Sequence, residues 1–431
     1  MKKYSEYKDS GILWIGRIPS HWDISSVGRN SFLGRGRVIS SIEIEKYLGK
    51  FPVYSSQTED FGILGFINTY DFEGDYVTWT TDGANAGRVF FRTGKFNCTN
   101  VCGTLQPKDK NKVNLKYLPY LLNLGTQFYV RQDINPKLMN GMMAKIPLII
   151  PLLSEQTAIA NFLDHKTRQI DDLIAKKERL IELLKEERIA IINQAVTKGL
   201  DPTVPMKDSG IEWLGEIPEN WEVKKIKHIG KIINGFAFKS TEFKERGIRV
   251  VKITNIQTMH MDWSDESYID PHYYDELPQY RIHNGDLVFA LTRPIISTGI
   301  EASIFNSDEE CLLNQRNALL KPSEHVTMQW LYFIIIDKLF TQDFDRAIDK
   351  TGQQPNISSI DIGELKIPIP NNKEQAETTF FLNAEITKIN NLTTRYEEEI
   401  SLLKEYKTSL INEAVTGKID VRDYQINHGT N

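Results

Sequence analysis

The residues of this chain whose types suit chemistry are forked and basic side chains, and they recur in two sets. The first set is Arg35, Arg37, Ser56, Gln57, Thr81, Asn85, Arg88, Asn135 and Lys137. The second is Lys239, Asn255, Thr292, Arg293, Gln315, Arg316, Lys350, Gln353 and Gln354. Lysine, arginine and hydroxyl groups suit phosphate oxygens, whereas Arg, Asn and Gln carry the paired donors and acceptors that tell base edges apart. The spacing aligns Thr81-Asp82 with Thr292-Arg293, the same place with different chemistry. Two readers of different sequences would look like this.

Patterns for catalysis are missing. There is no G-x-x-x-x-G-K-[ST] phosphate loop, and Gly34-Arg35-Gly36 lacks the third glycine of G-x-G-x-x-G and reads as a turn. No N/D-P-P-Y/F run of the amino-methyltransferase kind occurs. Glu43-Ile44-Glu45-Lys46 has the carboxylate spacing of some nucleases, but such runs arise on any solvated face. Cys98-x-x-x-Cys102 has neither zinc-knuckle spacing nor a histidine partner, and is expected to be a buried pair of small residues. The expectation is a chain that holds no metal, no cofactor and no catalytic site of its own.

What must position the two sets is a duplicated framework. Lys8 to Trp22 reads KDSGILWIGRIPSHW and Lys207 to Trp221 reads KDSGIEWLGEIPENW, with ten of fifteen positions identical at an offset of 199. A second match, IINQAVTKGLD from Ile191 and LINEAVTGKID from Leu410, has an offset of 219. The offset is already 219 at Glu155-Gln156 against Glu374-Gln375, so about twenty extra residues belong to the globular part of the second half. Because the opening tryptophans Trp14, Trp22, Trp213 and Trp221 are repeated, they are expected to be structural.

Residues 155–197 and 374–416 contain no Gly and no Pro. Apolar residues recur at heptad-like spacing through Leu163, Ile170, Leu184 and Ile191, and again through Leu382, Ile389, Leu403 and Leu410. Leu173, Leu180, Leu392 and Tyr406 fall between, and Lys177 interrupts the first stripe. Two helices of equal length and register, roughly 65 Å each, are expected to pack antiparallel as a coiled coil. The fold expected is α+β: two globular domains separated by two long helices, with a pseudo-two-fold internal repeat. The divisions are 1–153, first domain; 154–198, first helix; 199–370, second domain; 371–417, second helix; and 418–431, a C-terminal tail. Strands are predicted at 76–79, 88–92, 249–253 and 286–290, and short helices at 115–124 and 328–338.

The chain has 431 residues, 40% hydrophobic and 25% charged, which is globular composition. Its net charge of −5 argues against coating nucleic acid through bulk charge and leaves local basic faces open. No run of 18 apolar residues spans a membrane, and the opening residues lack the apolar stretch of a secretory signal. With only three cysteines, a cytoplasmic setting is the expectation. Two similar domains on a fixed spacer suit duplex DNA with two unlike half-sites. A coiled-coil scaffold without DNA recognition, and an enzyme with an unrecognised site, are the rival readings.

The doubled opening motif, the I-P runs Ile146–Gln156 and Ile367–Gln375, and the helix endings Asn193–Thr197 and Asn412–Thr416 resemble the specificity subunit of Type I restriction–modification systems. The resemblance covers residues 8 to 420. Asn371-Asn372 departs from Leu152-Leu153 and is expected to affect local packing only. The resemblance implies that each globular part is a target recognition domain reading half of a bipartite, asymmetric double-stranded DNA target. It implies that the helices are spacers docking two modification subunits. Those partners would bind S-adenosylmethionine and methylate adenine, and restriction (motor-nuclease) subunits would join them. This chain would be non-catalytic.

Overall fold

The computed structural model describes residues 2–57, 59–132, 134–296, 299–351 and 355–425. The chain divides into two compact units, one built from residues up to 177 together with those from 397 onward, the other from 178–396. Each unit therefore holds one globular domain, the first part of the long helix that follows it, and the last part of the other long helix.

Each unit opens with a hairpin made by the repeated motif. Tyr7–Asp9 pairs with Arg17–Pro19, and Met206–Asp208 with Glu216–Pro218, in the same antiparallel register. The K-D-S-G turn is repeated for a physical reason. Asp9 and Asp208 each accept the N–H of the glycine two residues on at 2.9 Å, and Gly11 and Gly210 sit at φ 69° and 68°, where a side chain is disfavoured.

The globular part of the first unit is built around two four-stranded sheets, from β1 Ser31–Arg35, β2 Leu48–Tyr54, β3 Ile63–Ile67, β4 Phe72–Glu73, β5 Tyr76–Thr80, β6 Val89–Arg92, β7 Lys95–Cys98 and β8 Cys102–Pro107. One sheet is antiparallel with order β1-β8-β5-β6; the other has order β3-β2-β7-β4 with a parallel pair, β2 and β7, at its centre. The second unit repeats the plan with β9 Gly230–Asn234, β10 Ile248–Val251, β11 Tyr268–Ile269, β12 Arg281–Ile282, β13 Leu287–Ala290, β14 Ala302–Ile304, β15 Cys311–Leu313 and β16 Asn317–Pro322. Its sheets have orders β9-β16-β13-β14 and β11-β10-β15-β12, again with a central parallel pair, β10 and β15. The extra residues of the second half include a hairpin, Ile256–Gln257 with His260–Met261, and a short helix, His272–Glu276, both between β10 and β12.

Strand β5 is buried from Val77 to Thr80, as a strand covered on both faces must be. Trp79 lies across Gly103, where a Cβ would fall 2.2 Å from the indole. At the matching positions of the second unit the pair is Phe289 and Ala318, a smaller ring over a larger neighbour. The predicted strands are present. The predicted helix at 328–338 is two helices, Met328–Ile335 and Lys338–Arg346. Asp337 divides them by accepting the N–H groups of Leu339 and Phe340 at 2.9 Å, an N-cap that starts a new helix.

The long helices are Leu153–Lys198 and Asn372–Val415. They run antiparallel within each unit. In the first, Lys407 binds Asp171 at 2.6 Å and Lys177 binds Glu399. In the second, Ile192 and Val196 share a core with Leu382 and Ile386. Of the heptad residues, Leu163, Ile170, Leu382, Ile389 and Leu410 are buried, and Leu184, Ile191 and Leu403 are half-buried. The intermediate positions differ from expectation. Leu173, Leu180, Leu392 and Tyr406 are exposed, and Ile174, Ile181 and Ile400 are buried instead. Residues 418–425 are packed in the first unit rather than trailing from it. Ile419 and Val421 are buried, and the Asp420 N–H donates to the Lys2 carbonyl at 2.9 Å.

The helix starts are tied to the hairpins by a repeated polar set. Trp22 donates its indole N–H to Glu155 at 3.1 Å, and Trp221 donates to Glu374 at 2.8 Å. Gln156 and Gln375, both buried, each donate to two carbonyls and accept one backbone N–H, from Asn114 and Thr327 respectively, at 2.8 Å. All four side chains act as structural anchors, which explains the repeated E-Q.

Candidate nucleic-acid interface

In the first unit the candidate residues gather at one end of the antiparallel sheet, where β1 and β5 end and β8 begins. Five backbone bonds build that rim. Gly36 N donates to Cys102 O at 3.0 Å, Arg37 N to Cys98 O at 3.1 Å, Thr81 N to Val101 O at 2.8 Å, Leu138 N to Thr81 O at 2.9 Å and Gly83 N to Pro136 O at 3.0 Å. The second unit repeats all five. Gly235 N donates to Asn317 O at 2.9 Å, Phe236 N to Leu313 O at 2.9 Å, Leu291 N to Arg316 O at 2.7 Å, Ile357 N to Leu291 O at 3.0 Å and Arg293 N to Pro355 O at 2.8 Å. Gly36 and Gly235 are required by space, since a Cβ would lie 2.2 Å and 2.0 Å from a carbonyl oxygen of the neighbouring loop.

These bonds fix which residues correspond, and they correct the alignment read from sequence. Asp82 matches Thr292, not Arg293, and Gly83 matches Arg293. The isolated bridges Asp82–Lys137 and Thr292–Asn356 give the same answer. A one-residue slip in a strand moves side chains to the other face, so the error matters. The rim then reads Arg35, Asp82, Gly83, Val101 and Lys137 in the first unit against Asn234, Thr292, Arg293, Arg316 and Asn356 in the second.

The same backbone carries different electrostatics. In the first unit Asp82 accepts the Thr81 hydroxyl at 2.7 Å and lies 3.5 Å from Arg35 and 3.9 Å from Lys137. Arg35 also donates to the Asn100 carbonyl. In the second unit Thr292 brings no charge. Arg293 and Arg316 are exposed there, and neither has an ion pair or side-chain hydrogen bond among the described residues. Both adopt left-handed backbone, φ 48° and 69°, while Gly83 at the Arg293 position has φ 89°. That conformation costs a side-chain-bearing residue about 1–2 kcal/mol.

The other candidates divide. Ser56 and Asn85 are brought together by the Asn85 amide, which donates to the Ser56 carbonyl at 3.3 Å. Arg88 and Asn135 are exposed on the same loops. Gln315 is exposed beside Arg316, and Lys350 is paired with Asp345 at 2.7 Å. Arg37 is held by Glu43 at 2.7 Å and Asp71 at 2.9 Å, contacts that raise its pKa and pull Glu43 below the usual carboxylate range. Thus Glu43 belongs to an ion pair. Gln57 donates to the Ile63 carbonyl. Thr81 is buried, so it supports Asp82 rather than facing solvent.

Asn255 must be withdrawn as a base reader. It is 1% exposed, and its amide donates to the Asp262 and Asp265 carbonyls at 2.9 and 2.8 Å. Lys239 is exposed, and among the described residues no hydrogen bond or ion pair joins it to the rim. Gln353 and Gln354 lie outside the described residues. Sequence reasoning missed Asn234 and Asn356. A signal existed for the second: Pro136-Lys137-Leu138 matches Pro355-Asn356-Ile357 at the offset of 219. Cys98 and Cys102 are buried free thiols, and among the described residues no His/Cys/Asp/Glu group could hold a metal.

Residues 20–183 and 218–402 match the family model of the Type I restriction modification DNA specificity domain. The chain belongs to this family. The specificity subunit is 29% identical over 423 residues to the Type I restriction enzyme MjaVIII specificity subunit of Methanocaldococcus jannaschii, a match covering 94% of this chain and 95% of that one. It is 42% identical over 156 residues to the putative type I specificity subunit S.MpnORF285P of Mycoplasma pneumoniae, covering 36% of this chain and 51% of that relative. Its fold is that of a chain solved in work on complex assembly and conformational transition of the type I R-M system, with a TM-score of 0.71, 12% identity and coverage of 93% and 99%. The HsdS subunit from Thermoanaerobacter tengcongensis is similar with a TM-score of 0.55, 13% identity and coverage of 93% and 98%. Among the described residues no helix is long and apolar enough to cross a membrane.

Proposed function

We propose that each unit of this specificity subunit reads one half of a bipartite, asymmetric duplex target, and that the chain performs no chemistry itself. The observation that carries this reading is the rim. Two loop sets held by the same five backbone bonds present different polar side chains, so the framework is kept while the chemistry changes. Phosphate contact would come from exposed rim cations such as Lys137 and Arg88. The net charge of −5 then matters less than these local faces.

The long helices would set the gap between half-sites and receive two modification subunits. Exposed apolar residues support this. Leu180, Leu183 and Leu392 in the second unit and Leu402 in the first are 42%, 43%, 39% and 63% exposed. Such residues on helices are suited to burial by a partner. The modification subunits would bring S-adenosylmethionine and adenine methylation, and restriction subunits would bring cleavage.

The test is a gel-shift series at fixed salt with the chain assembled on its modification subunit. One bipartite duplex should be bound far more tightly than random DNA. Equal binding to all duplexes would leave the scaffold reading standing instead.

A further inference from the structure

Arg293 occupies a position where the first unit has glycine. Its N–H donates to Pro355 at 2.8 Å as Gly83 donates to Pro136 at 3.0 Å, and it keeps the left-handed backbone with φ 48°. The residues on either side, Thr292 and Pro294, are buried, so the Cα of Arg293 is fixed while its side chain is exposed. Arg316 stands on the neighbouring strand end, its carbonyl accepting the Leu291 N–H at 2.7 Å.

Among the described residues the Arg293 side chain has no ion pair and no hydrogen bond. The carboxylate that lies beside Arg35 and Lys137 in the first unit, Asp82, is replaced by Thr292. On the segment that leads to Pro355, Asp345 pairs with Lys350 at 2.7 Å, and Asp349 accepts from the Thr351 N–H at 2.8 Å and its hydroxyl at 2.6 Å. A phosphate contact needs only a positive charge, and a flexible lysine on an unstrained backbone would serve. A guanidinium fork on an anchored backbone suits a two-point contact, and in the major groove that contact is with O6 and N7 of guanine.

We propose that Arg293 reads a guanine in the half-site of the second unit. This rests on the DNA-reading function above. The experiment is selection from a randomised duplex library by the assembled complex, with wild type, Arg293→Gly and Arg293→Lys compared at two salt concentrations. Arg293→Gly adopts the residue of the first unit and relieves the backbone, so folding is protected. The wild type should select a bipartite motif with a guanine in one half. Arg293→Gly should lose preference at that one base pair by about 10- to 100-fold, with the other half unchanged. Arg293→Lys should keep the salt dependence and lose the preference. Uniform weakening of all sequences, an unchanged motif, or a half-site without guanine overturns the proposal. A wild type that selects no bipartite motif overturns the broader reading instead.

Discussion

The indole N–H of Trp22 donates to the buried carboxylate of Glu155 at 3.1 Å, joining the opening hairpin to the first turn of the long helix. His21 Nε2 lies 3.0 Å from the same carboxylate and Arg422 Nε 3.6 Å from it. Glu155→Ala leaves the Trp22 N–H buried without a partner and should destabilise the first unit by about 1–3 kcal/mol in urea unfolding. Glu374→Ala should cost less, because Glu374 is only half-buried and has Asn220 where Glu155 has His21. Equal losses would show that the additional contacts of Glu155 contribute nothing.

Asp337 gives a pH-dependent prediction. It is 1% exposed, caps the helix Lys338–Arg346 and accepts from Asn193 at 3.1 Å; burial pushes its carboxyl above the usual range. A raised acid pKa means that the folded state binds the proton more tightly, so this group's contribution falls as pH rises from about 4 through the folded value. Asp337→Asn keeps the cap and removes the ionisation. Its unfolding midpoint should match or exceed wild type at pH 7, and wild type should gain on it as pH falls toward 4. Asp337→Ala should lose about 1 kcal/mol at pH 7. Equal losses in both variants at pH 7 would contradict this account.

The framework was legible in the sequence because its residues act locally and in pairs. The K-D-S-G turn needs its own Asp and Gly, and Trp22 and Glu155 meet through a hairpin and a helix start that both repeat. The rim was legible only in part. Asp82 and Thr292 correspond because of bonds to loops far along the chain, Pro136–Leu138 and Pro355–Ile357, and local similarity placed the match one residue off. Asn255 looks like a reader in sequence, but its burial comes from carbonyls of its own loop. The helix stripe was misread at Leu173 and Leu180 because the second row of the heptad pattern lies four residues after the first, at Ile174 and Ile181, and not three.

Lys177 interrupts the first apolar stripe and is largely buried against Glu399, with side-chain exposures of 15% and 32%. Replacing one partner strands the other charge in a partly dry seam, and replacing both removes the desolvation cost. Lys177→Leu alone should therefore lower the unfolding temperature, while Lys177→Leu with Glu399→Leu should restore or exceed it. A double variant less stable than either single one would mean that the ion pair adds net stability.

If the helices set the distance between half-sites, their length is an adjustable quantity. Removing seven residues from the middle of each helix preserves the apolar stripe and shortens each by about 10.5 Å. At about 3.4 Å per base pair that equals roughly three base pairs. The altered complex, assayed by gel shift on duplexes with graded gaps, should prefer a spacer about three base pairs shorter while both half-site sequences stay the same. Retention of the original spacer with full affinity would mean that the gap is set by the recognition loops or the partner subunits, and the helices would then serve for docking alone.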